Sequence, residues 1–310
     1  MWGEYKVKYK VRIMGIIIII IFILGVGVFN MIKEINEEEN YSIEKIDGIQ
    51  IDVSNIRIKI ISSKNNDTVK VNFHGKAMQE IKLVSEINNN NLFIKVKRNH
   101  EKLPIYEKVE IDVYLPANYS KDFSVNTLSS YVDMDNFGLK KFTYSTLSGN
   151  LKVDTLSAEK ISMSSSSGPL ILEKLITKEL EIKGESSAIN IDKCDTDKAI
   201  IETSSGSITL KNTSGSLNLK SSSGKILVTY NEFEEKEVNI QTTSGSINLE
   251  LPNSAEFLID AKTSTGNVQS NFPIDTKLNI DKKYIQGQIG TKNNKISLKT
   301  LSGSIKVLKK

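Results

Sequence analysis

Residues 142–172 read FTYSTLSGNLKVDTLSAEKISMSSSSGPLIL, and this stretch holds two copies of the pattern that decides the fold. Each copy has a Ser/Thr-rich turn that is closed by a glycine, Gly149 or Gly168. When the glycine is position zero, apolar residues recur at −7, −5, +2 and +4, and Ser or Thr stands at −3. Residues two apart lie on the same face of a strand, so the pattern predicts a half-buried strand on each side of the turn.

The same pattern recurs along the rest of the chain at a nearly constant spacing. The first five zero positions are nineteen residues apart, the next lies eighteen further on, and two more follow at intervals of twenty-one. These zero positions are Ser130, Gly149, Gly168, Ser187, Gly206, Gly224, Gly245 and Gly266, and a further copy is centred on Gly303. A half-period copy surrounds Gly215, and Gly287 marks a degenerate copy. A period of about twenty residues indicates stacked units that share one continuous core.

The fold class that follows is all-β, a β-solenoid-like stack of roughly 19-residue repeats. Each repeat is expected to supply two short strands and two turns. An antiparallel β meander, with the Ser-Gly pair as a hairpin turn, is the alternative, and the half-period copy fits it. The nearly constant repeat length favours stacking. In either arrangement the +2 side chains should point inward, and stacking would align the −3 hydroxyls in a hydrogen-bonded ladder. The +2 residues include Leu151, Leu170, Ile208, Ile226 and Ile247.

The chain before the repeats divides into an N-terminal β region, residues 41–120, and the β-repeat domain is assigned to residues 121–310. Apolar residues alternate with polar ones in several segments of the N-terminal region, for example at Ile49, Ile51 and Val53. Clusters of Ser and Asn separate these segments, which is typical of strands joined by turns. The N-terminal region is therefore predicted to be β structure with irregular spacing.

Residues 13–32 read IMGIIIIIIFILGVGVFNMI, in which Asn30 is the one strongly polar residue. Twenty residues of helix rise about 30 Å, which is the thickness of a bilayer core. A cleaved signal peptide is the alternative, but no small-x-small cleavage site follows the run. The sequence thus predicts an uncleaved transmembrane helix that acts as a signal anchor, with residues 1–12 as a tail before it and residues 33–40 as a charged spacer after it.

The charges that flank this span predict its orientation. Basic residues precede the span and acidic residues follow it, and the positive-inside rule keeps the basic end in the cytoplasm. The flanking charges before the span are Lys6, Lys8, Lys10 and Arg12, opposed only by Glu4, and those after it are Lys33 and then Glu34, Glu37, Glu38 and Glu39. The expected location is a single-pass protein of the cell membrane, with a cytoplasmic N-terminus and an extracellular C-terminal domain.

Two further segments carry a resemblance to a known family. These are SIEKIDGIQIDVSNIRIKIISS at residues 42–63 and VEIDVYLPANYSKDFSVNT at residues 109–127, followed by the Ser-Gly turns. In this order they resemble the bacterial family called domain of unknown function 4097. The resemblance covers nearly everything after Tyr41 and implies a membrane-tethered β-repeat protein with an adhesin's role. Some relatives are associated with envelope-stress responses, and no catalytic or binding residues come with the family.

The sequence contains no motif of an enzyme or of a metal site. Its two histidines, His74 and His100, have no cysteine nearby, and no G-x-S-x-G, phosphate loop, HExxH or CxxC occurs. The acidic run around Cys194 lacks the glycine and final glutamate of a calcium loop, so a turn between strands is the better interpretation. A net charge of +4 with scattered basic residues argues against nucleic acid. We expect a non-enzyme without cofactors or metal.

The expected function is therefore that of a cell-surface protein that presents a polar binding surface. The expected partners are a cell-wall polymer or another envelope protein, besides the membrane itself, and the alternative function is an envelope-stress sensor that acts through partner membrane proteins. Outward polar residues would also serve plain solubility. The most basic part of the chain is its C-terminal end, which makes its lysines the candidate binding residues. These are Lys292, Lys295, Lys299, Lys306, Lys309 and Lys310.

Overall fold

Ile, Val and Leu alternate with polar residues through most of the chain, and the computed structural model places these alternating segments in strands. It describes residues 32–64, 67–99, 106–276, 282–291 and 293–310. The N-terminal strands, with a 3-10 turn at Ile43–Lys45, are β1 (Lys33–Ser42), β2 (Gly48–Val53), β3 (Arg57–Ser63), β4 (Thr68–Ala77), β5 (Ile81–Asn88), β6 (Asn91–Arg98) and β7 (Glu107–Pro116). The central strands are β8 (Asp122–Thr127), β9 (Tyr131–Met134), β10 (Phe137–Thr146), β11 (Asn150–Ser165), β12 (Leu170–Gly184), β13 (Ile189–Thr203), β14 (Ile208–Thr213), β15 (Ser216–Ser221) and β16 (Ile226–Tyr230). The C-terminal strands are β17 (Glu237–Ser244), β18 (Ile247–Leu251), β19 (Phe257–Thr265), β20 (Val268–Ser270), β21 (Asp275–Thr276), β22 (Tyr284–Ile289), β23 (Lys295–Ser302) and β24 (Ile305–Lys309).

The repeats stack as parallel coils. Strands β10 to β13 pair in parallel, each shifted by nineteen residues, so that Leu151 lies beside Leu170 and Leu170 beside Ile189. This column continues through Ile208, and every member is buried. The solenoid prediction is thereby confirmed, and the antiparallel meander is wrong for the repeats. The predicted inward position of the +2 residues is confirmed as well, since all five are at most 1% exposed.

Each coil has a strand that leads into the Ser-Gly turn, here called inbound, and a strand that leaves it, called outbound. In β11, β12 and β13 a third side joins the outbound part to the inbound part. In β11 it lies between two corners, at Asp154 and at Glu159, where the pairing with β12 is interrupted and two successive side chains point outward. The inward column of this third side contains Leu156, Leu175 and Cys194. The regular coil therefore has three sides where the sequence predicted two strands. Gly215, centre of the half-period copy, is the corner between outbound β14 and inbound β15.

The glycine of the turn is required by the stacking itself. A Cβ atom at Gly206 would overlap the carbonyl oxygen of Ser187 in the coil before it, and Gly168 also has a positive φ of 140°. The −3 hydroxyls have two roles. Some close their own turn, as where the Gly149 amide donates to Thr146 Oγ1 at 2.7 Å. Others reach the neighbouring coil, as where Thr300 Oγ1 donates to the Gly245 carbonyl at 3.1 Å, so the predicted ladder exists only in part.

At both ends the order of strands in space departs from their order in the chain. The C-terminal coil, β23 and β24, lies between the coil of β17 and β18 and the coil of β19 and β20. The early coil of β2 and β3 lies between β6 and β7 on one side and β8 and β9 on the other. Antiparallel strands then cover the ends, β22 on β19 and β4 on β7. Gly287 belongs to β22, so it does not mark a repeat.

The N-terminal segments differ from the sequence-based division in two ways. Residues 33–40, expected as a spacer, form most of strand β1, which pairs antiparallel with β4. The hydrophobic core runs without a break from Ile46 to Val307, so it continues across the proposed boundary at residue 120. Because β2 and β3 stack directly on β8 and β9, the irregular region is the first part of the same stack.

The predicted transmembrane span lies outside the described residues, apart from its last residue, Ile32. Within the described ranges there is no helix of sufficient length and apolar character to cross a membrane.

Candidate binding groove

The inbound strands present a polar outer face whose residues align in rows across the coils. One row occupies position −4 of each repeat, one residue before the −3 hydroxyl, and its side chains point away from the core. The strand register runs along it through adjacent coils. In spatial order this −4 row consists of Lys183, Glu202, Lys220, Gln241, Lys299 and Lys262.

A second row lies two residues earlier on the same strands and is rich in amides. In spatial order it runs through Glu181, Ile200, Asn218, Asn239, Ser297 and Asp260, and Gln286 of β22 lies beside Asp260 at its end. Inside this amide row, Asn239 Oδ1 accepts a hydrogen bond of 3.2 Å from Gln241 Nε2 of the −4 row. The two rows therefore form one hydrogen-bonding surface on the inbound face.

This face is hollowed in two places that adjoin each other. A hollow of about 890 Å³ follows the −4 row and the adjoining turn residues, and a hollow of about 1380 Å³ follows the amide row beneath β22. Gln241 and Lys299 line both. We call the joined hollows the inbound groove, and its long axis runs across the strands because its lining residues come from successive coils.

The charge of the groove is uneven. Four lysines and one glutamate, Glu202, line the smaller hollow, so it is strongly basic. The larger hollow contains Lys295, Lys299, Glu237 and Asp260, whose charges balance. A basic section thus adjoins a neutral, amide-rich section along one groove.

Carboxylates neutralise only part of the −4 row. Lys220 Nζ lies 3.1 Å from Glu202 Oε1, and Lys183 Nζ lies 2.8 Å from Glu181 Oε1. The hydrogen bond with Lys183 lowers the pKa of Glu181, and the same bond raises the pKa of Lys183. Both partners are exposed, so these pairs add little to stability.

Lys262 and Lys299 differ from the other lysines of the row. They are direct neighbours in the parallel pairing of β19 and β23, about 4.8 Å apart at the backbone. No carboxylate of the described residues lies within ion-pair distance of either ammonium. Like charges that face each other across strands are destabilising. This pair is therefore the point of the groove at which a bound anion would be most stabilising.

The structure distributes the lysines that the sequence singled out over different faces. Lys295 and Lys299 lie in the inbound groove, whereas Lys306 lies on the outer face of the outbound sheet. Lys309 packs over the Phe272 ring at 5.3 Å, Lys310 donates to Asn212 Oδ1 at 3.1 Å, and Lys292 lies outside the described residues. The predicted basic patch is thus not a single surface.

The lysines predicted from the sequence do not include three lysines of the groove, because these three lie far from the basic C-terminal end. Lys183, Lys220 and Lys262 stand at −4 of their repeats, as Lys299 does. Counting back four residues from each zero position would have found them, because parallel stacking in register aligns equal positions. The signal was therefore present in the repeat alignment, although net charge per segment did not reveal it.

The acidic run around Cys194 has a structural explanation. Asp192 pairs with Lys211 at 2.7 Å, and Asp195 accepts a hydrogen bond from the Ser214 hydroxyl. These residues form the third side of the coil within β13, where the pairing breaks at Asp192 and Asp197, so the chain bends here as predicted but through a short paired side with two corners. Cys194 faces the core, and burial raises the pKa of its thiol to about 12.

The family profile of Toastrack DUF4097 matches residues 46–308. The chain belongs to the Toastrack DUF4097 family. The match begins before β2 and ends in β24, so this Toastrack domain includes both the irregular strands and the repeats. No curated protein matches the chain.

Solved structures that the chain matches come from several bacteria. A lipid-binding protein candidate of Parabacteroides distasonis is 16% identical, with 89% of this chain and 96% of that chain covered and a TM-score of 0.47. A candidate adhesin of Bacteroides fragilis is 14% identical, with 89% and 98% covered and a TM-score of 0.44. A candidate cell adhesion protein of Clostridium sporogenes is 11% identical, with 90% and 100% covered and a TM-score of 0.24. The family assignment rests on the profile match.

Proposed function

We propose that this Toastrack protein is a non-enzymatic envelope protein that binds an anionic wall polymer in its inbound groove. The observation that carries the proposal is the −4 row, in which the neighbouring lysines Lys262 and Lys299 have no carboxylate partner among the described residues. A cationic line on a rigid sheet is a suitable receptor for a partner whose negative charges also recur at intervals.

The spacing of the row favours an extended polymer over a small ion. Lys183, Lys220 and Lys299 are each two coils apart, which places them about 10 Å apart at the backbone. A single phosphate or carboxylate could contact only one such lysine or the adjacent pair. A polymer with several anionic groups could contact all of these lysines at once. Its affinity would rise, because after the first group has bound, the contacts of the other groups are intramolecular.

The neutral hollow beside the basic one favours a polymer that also carries hydroxyl groups. Asn239, Ser297 and Gln286 offer amide and hydroxyl groups on the same face, and each can both donate and accept. Sugar or polyol hydroxyls have the same dual capacity. The groove thus supports a partner with alternating charged and hydroxylated parts, as in a polyol phosphate.

The location of the groove in the cell is part of the proposal and rests on the N-terminal sequence. The apolar run at residues 13–32, with basic residues before it, would tether the domain at the outer side of the cell membrane. In that position the groove would face the wall. The lining of lysines, amides and hydroxyls supports binding rather than catalysis.

The test is direct binding of the full-length chain, purified in detergent, to poly(glycerol phosphate), with neutral dextran as the uncharged comparison. The variant Lys262→Gln/Lys299→Gln should bind the polymer about tenfold more weakly, which corresponds to about 1.4 kcal/mol. Lys225→Gln/Lys306→Gln is the matched control, since it removes two exposed lysines from outside the inbound groove. It should change affinity less than about twofold.

The salt dependence of polymer binding is a second test of the proposal. Raising the salt from about 0.05 to about 0.5 M should weaken binding of the wild type more than that of the groove variant, because exposed charges are screened over about 10 Å or less. Equal loss of affinity in the groove variant and in the control, or tight binding to dextran, would contradict the proposal.

One observation favours a second candidate, the sensor that acts through another envelope protein. Leu128 and Leu147 stand at −2 of neighbouring turns and are 53% and 58% exposed. Tyr131, next to the first of these turns, is 37% exposed. Neighbouring exposed apolar side chains are a common feature of protein interfaces. If the wild-type chain does not bind the polymer, this turn corner becomes the better-supported contact site.

A further inference from the structure

A separate cluster of metal-ligand groups lies at the N-terminal end, on the outer face of the outbound sheet. One ligand atom each from His74, Glu110 and Asp112 can be chosen so that all three lie within 4.8 Å of one another. His74 Nε2 is 3.0 Å from Asp112 Oδ2. Because His74 is on β4 while the two carboxylates are on β7, only the antiparallel pairing of these strands brings the three together.

The strand register explains why the groups converge. His74 lies directly opposite Glu110, and Asn72 lies directly opposite Asp112. Residues that face each other across an antiparallel pair project to the same side of the sheet. The four side chains therefore form a block of one imidazole, two carboxylates and one amide.

Two oxygen atoms of this block are buried without a hydrogen-bond donor. Asp112 is only 8% exposed, and its Oδ1 accepts no hydrogen bond. The side-chain oxygen of Asn72 is likewise buried and accepts none. Buried acceptors in folded proteins nearly always have a partner, because an unsatisfied one costs about 1–3 kcal/mol. Two such oxygens beside an imidazole indicate a place for a cation.

Lys59 stands in for that cation in the structure. Its ammonium lies 2.7 Å from Glu110 Oε2 and 4.0 Å from Asp112 Oδ1, which is too far for a hydrogen bond. The hydrogen bond that the Lys59 ammonium donates to the Glu110 carboxylate raises the pKa of Lys59. Its side chain is 36% exposed and its stem is flexible, so it can swing out to solvent. Arg57 is engaged elsewhere, by Asp133 at 2.9 Å.

We propose that His74, Glu110 and Asp112 bind a divalent transition-metal ion of the Zn²⁺ class, with the Asn72 oxygen available as a fourth ligand. Neutral imidazole and carboxylate oxygen are ligands that Zn²⁺ accepts in tetrahedral sites. The ion displaces the Lys59 ammonium from Glu110 and uses the unsatisfied oxygen of Asp112. It then links β4 to β7 at the covered end of the stack.

The experiment uses the full-length chain in detergent, stripped of metal with a chelator. Zn²⁺ affinity is measured by competition with a chromogenic indicator, and Co²⁺ serves as a probe whose visible absorption reports nitrogen and oxygen ligation. The wild type should bind one ion per chain. The variant His74→Gln, which keeps a donor for Asp112, should lose more than about a hundredfold in affinity, since losing even an outer-shell partner costs about 10–100-fold.

The informative variant is Lys59→Gln, because it separates a metal site from an ion-pair network. If Lys59 competes with the ion, this variant should bind Zn²⁺ at least about tenfold more tightly, since it removes a positive charge about 4 Å from a ligand. His100→Gln, which removes the other histidine of the chain, should leave the Zn²⁺ affinity unchanged. Glu110→Gln is the second ligand variant and should also weaken Zn²⁺ binding. It keeps the site testable if His74→Gln does not fold.

Three results would overturn the site. These are wild-type affinity no better than that of the indicator, unchanged Zn²⁺ affinity in a folded His74→Gln or Glu110→Gln chain, and a Lys59→Gln chain that binds no more tightly than the wild type. In each case the cluster is an ion-pair network that only joins strands.

Discussion

The middle coils and the C-terminal coils are built from the same repeat, but they are connected differently. From β11 to β13 each coil stacks on the coil that precedes it in the chain. At the C-terminal end, the last coil, β23 and β24, lies between two coils that are consecutive in sequence. The difference shows that the repeat pattern determines the register of two coils once they meet, whereas it does not determine which coils meet.

The inserted coil is held by a side chain that the repeat pattern does not contain. Asn294 is fully buried just before β23, and its Nδ2 donates to the carbonyls of Phe233 at 3.0 Å and Glu256 at 2.8 Å. Its Oδ1 accepts from the Lys236 amide at 2.7 Å. One amide thus joins the segments that precede β17, β23 and β19. In the middle coils, successive strands instead align columns of similar apolar residues, such as Leu151, Leu170 and Ile189.

The largest effect should come from a charge in the middle of the stack. Leu170→Asp places a carboxylate in a fully buried column between Leu151 and Ile189, which should cost about 4–5 kcal/mol or more. Because coils on both sides depend on this column, hydrogen exchange should speed up on both sides of β12. Ile171→Asp is the matched control, since that side chain is 42% exposed. Equal urea midpoints for the two variants would contradict the assignment of inward and outward faces.

A smaller and more local effect is expected at the C-terminal end. Asn294→Ala leaves two carbonyls and one amide without their partner, which should cost about 3 kcal/mol. Hydrogen exchange should speed up in β19, β22 and β23 while β11 to β13 stay protected, because the bonds of Asn294 lie only in the last coils. Asn293→Ala, at an exposed position one residue earlier, should have no measurable effect. Loss of protection throughout the chain would show that the end coils are not an independent unit.

The smallest effect concerns the third side of the middle coils and its dependence on pH. Burial raises the pKa of Cys194 from 9.0 to about 12, so the folded state keeps the proton that the unfolded state releases. The contribution is fully present below pH 9 and is lost as pH rises from about 9 to 12, by up to about 1.4 kcal/mol per pH unit. Between pH 8 and 10.5, the free energy of unfolding measured by urea denaturation should therefore fall more steeply with pH in the wild type than in Cys194→Val. If the free energy of unfolding has the same pH dependence in both proteins, the Cys194 thiol is in contact with solvent and the buried position is wrong.

Much of this architecture follows from local patterns in the sequence. The zero positions fix the turns, and the alternation around them fixes which side chains are buried, as at Leu151 and Leu170. These features depend on one repeat and its neighbour, so periodicity is enough to predict them. The basic row was also present in the sequence at −4, and the parallel stacking that the repeat length favoured would align it, whereas an antiparallel meander would have aligned other positions.

Contacts between distant segments were decided by the tertiary structure alone. The insertion of β23 between β17 and β19, the stacking of β2 on β8, and the block of His74 with Asp112 each join segments that are not successive repeats in the sequence. Equivalent coils present nearly the same edge, so sequence similarity cannot distinguish between them. The choice was made by side chains such as Asn294, whose buried hydrogen bonds are satisfied in one arrangement of the coils. The sequence by itself therefore determined the coil and its two faces, while the three-dimensional packing determined the order of the coils and the groups that meet on their surface.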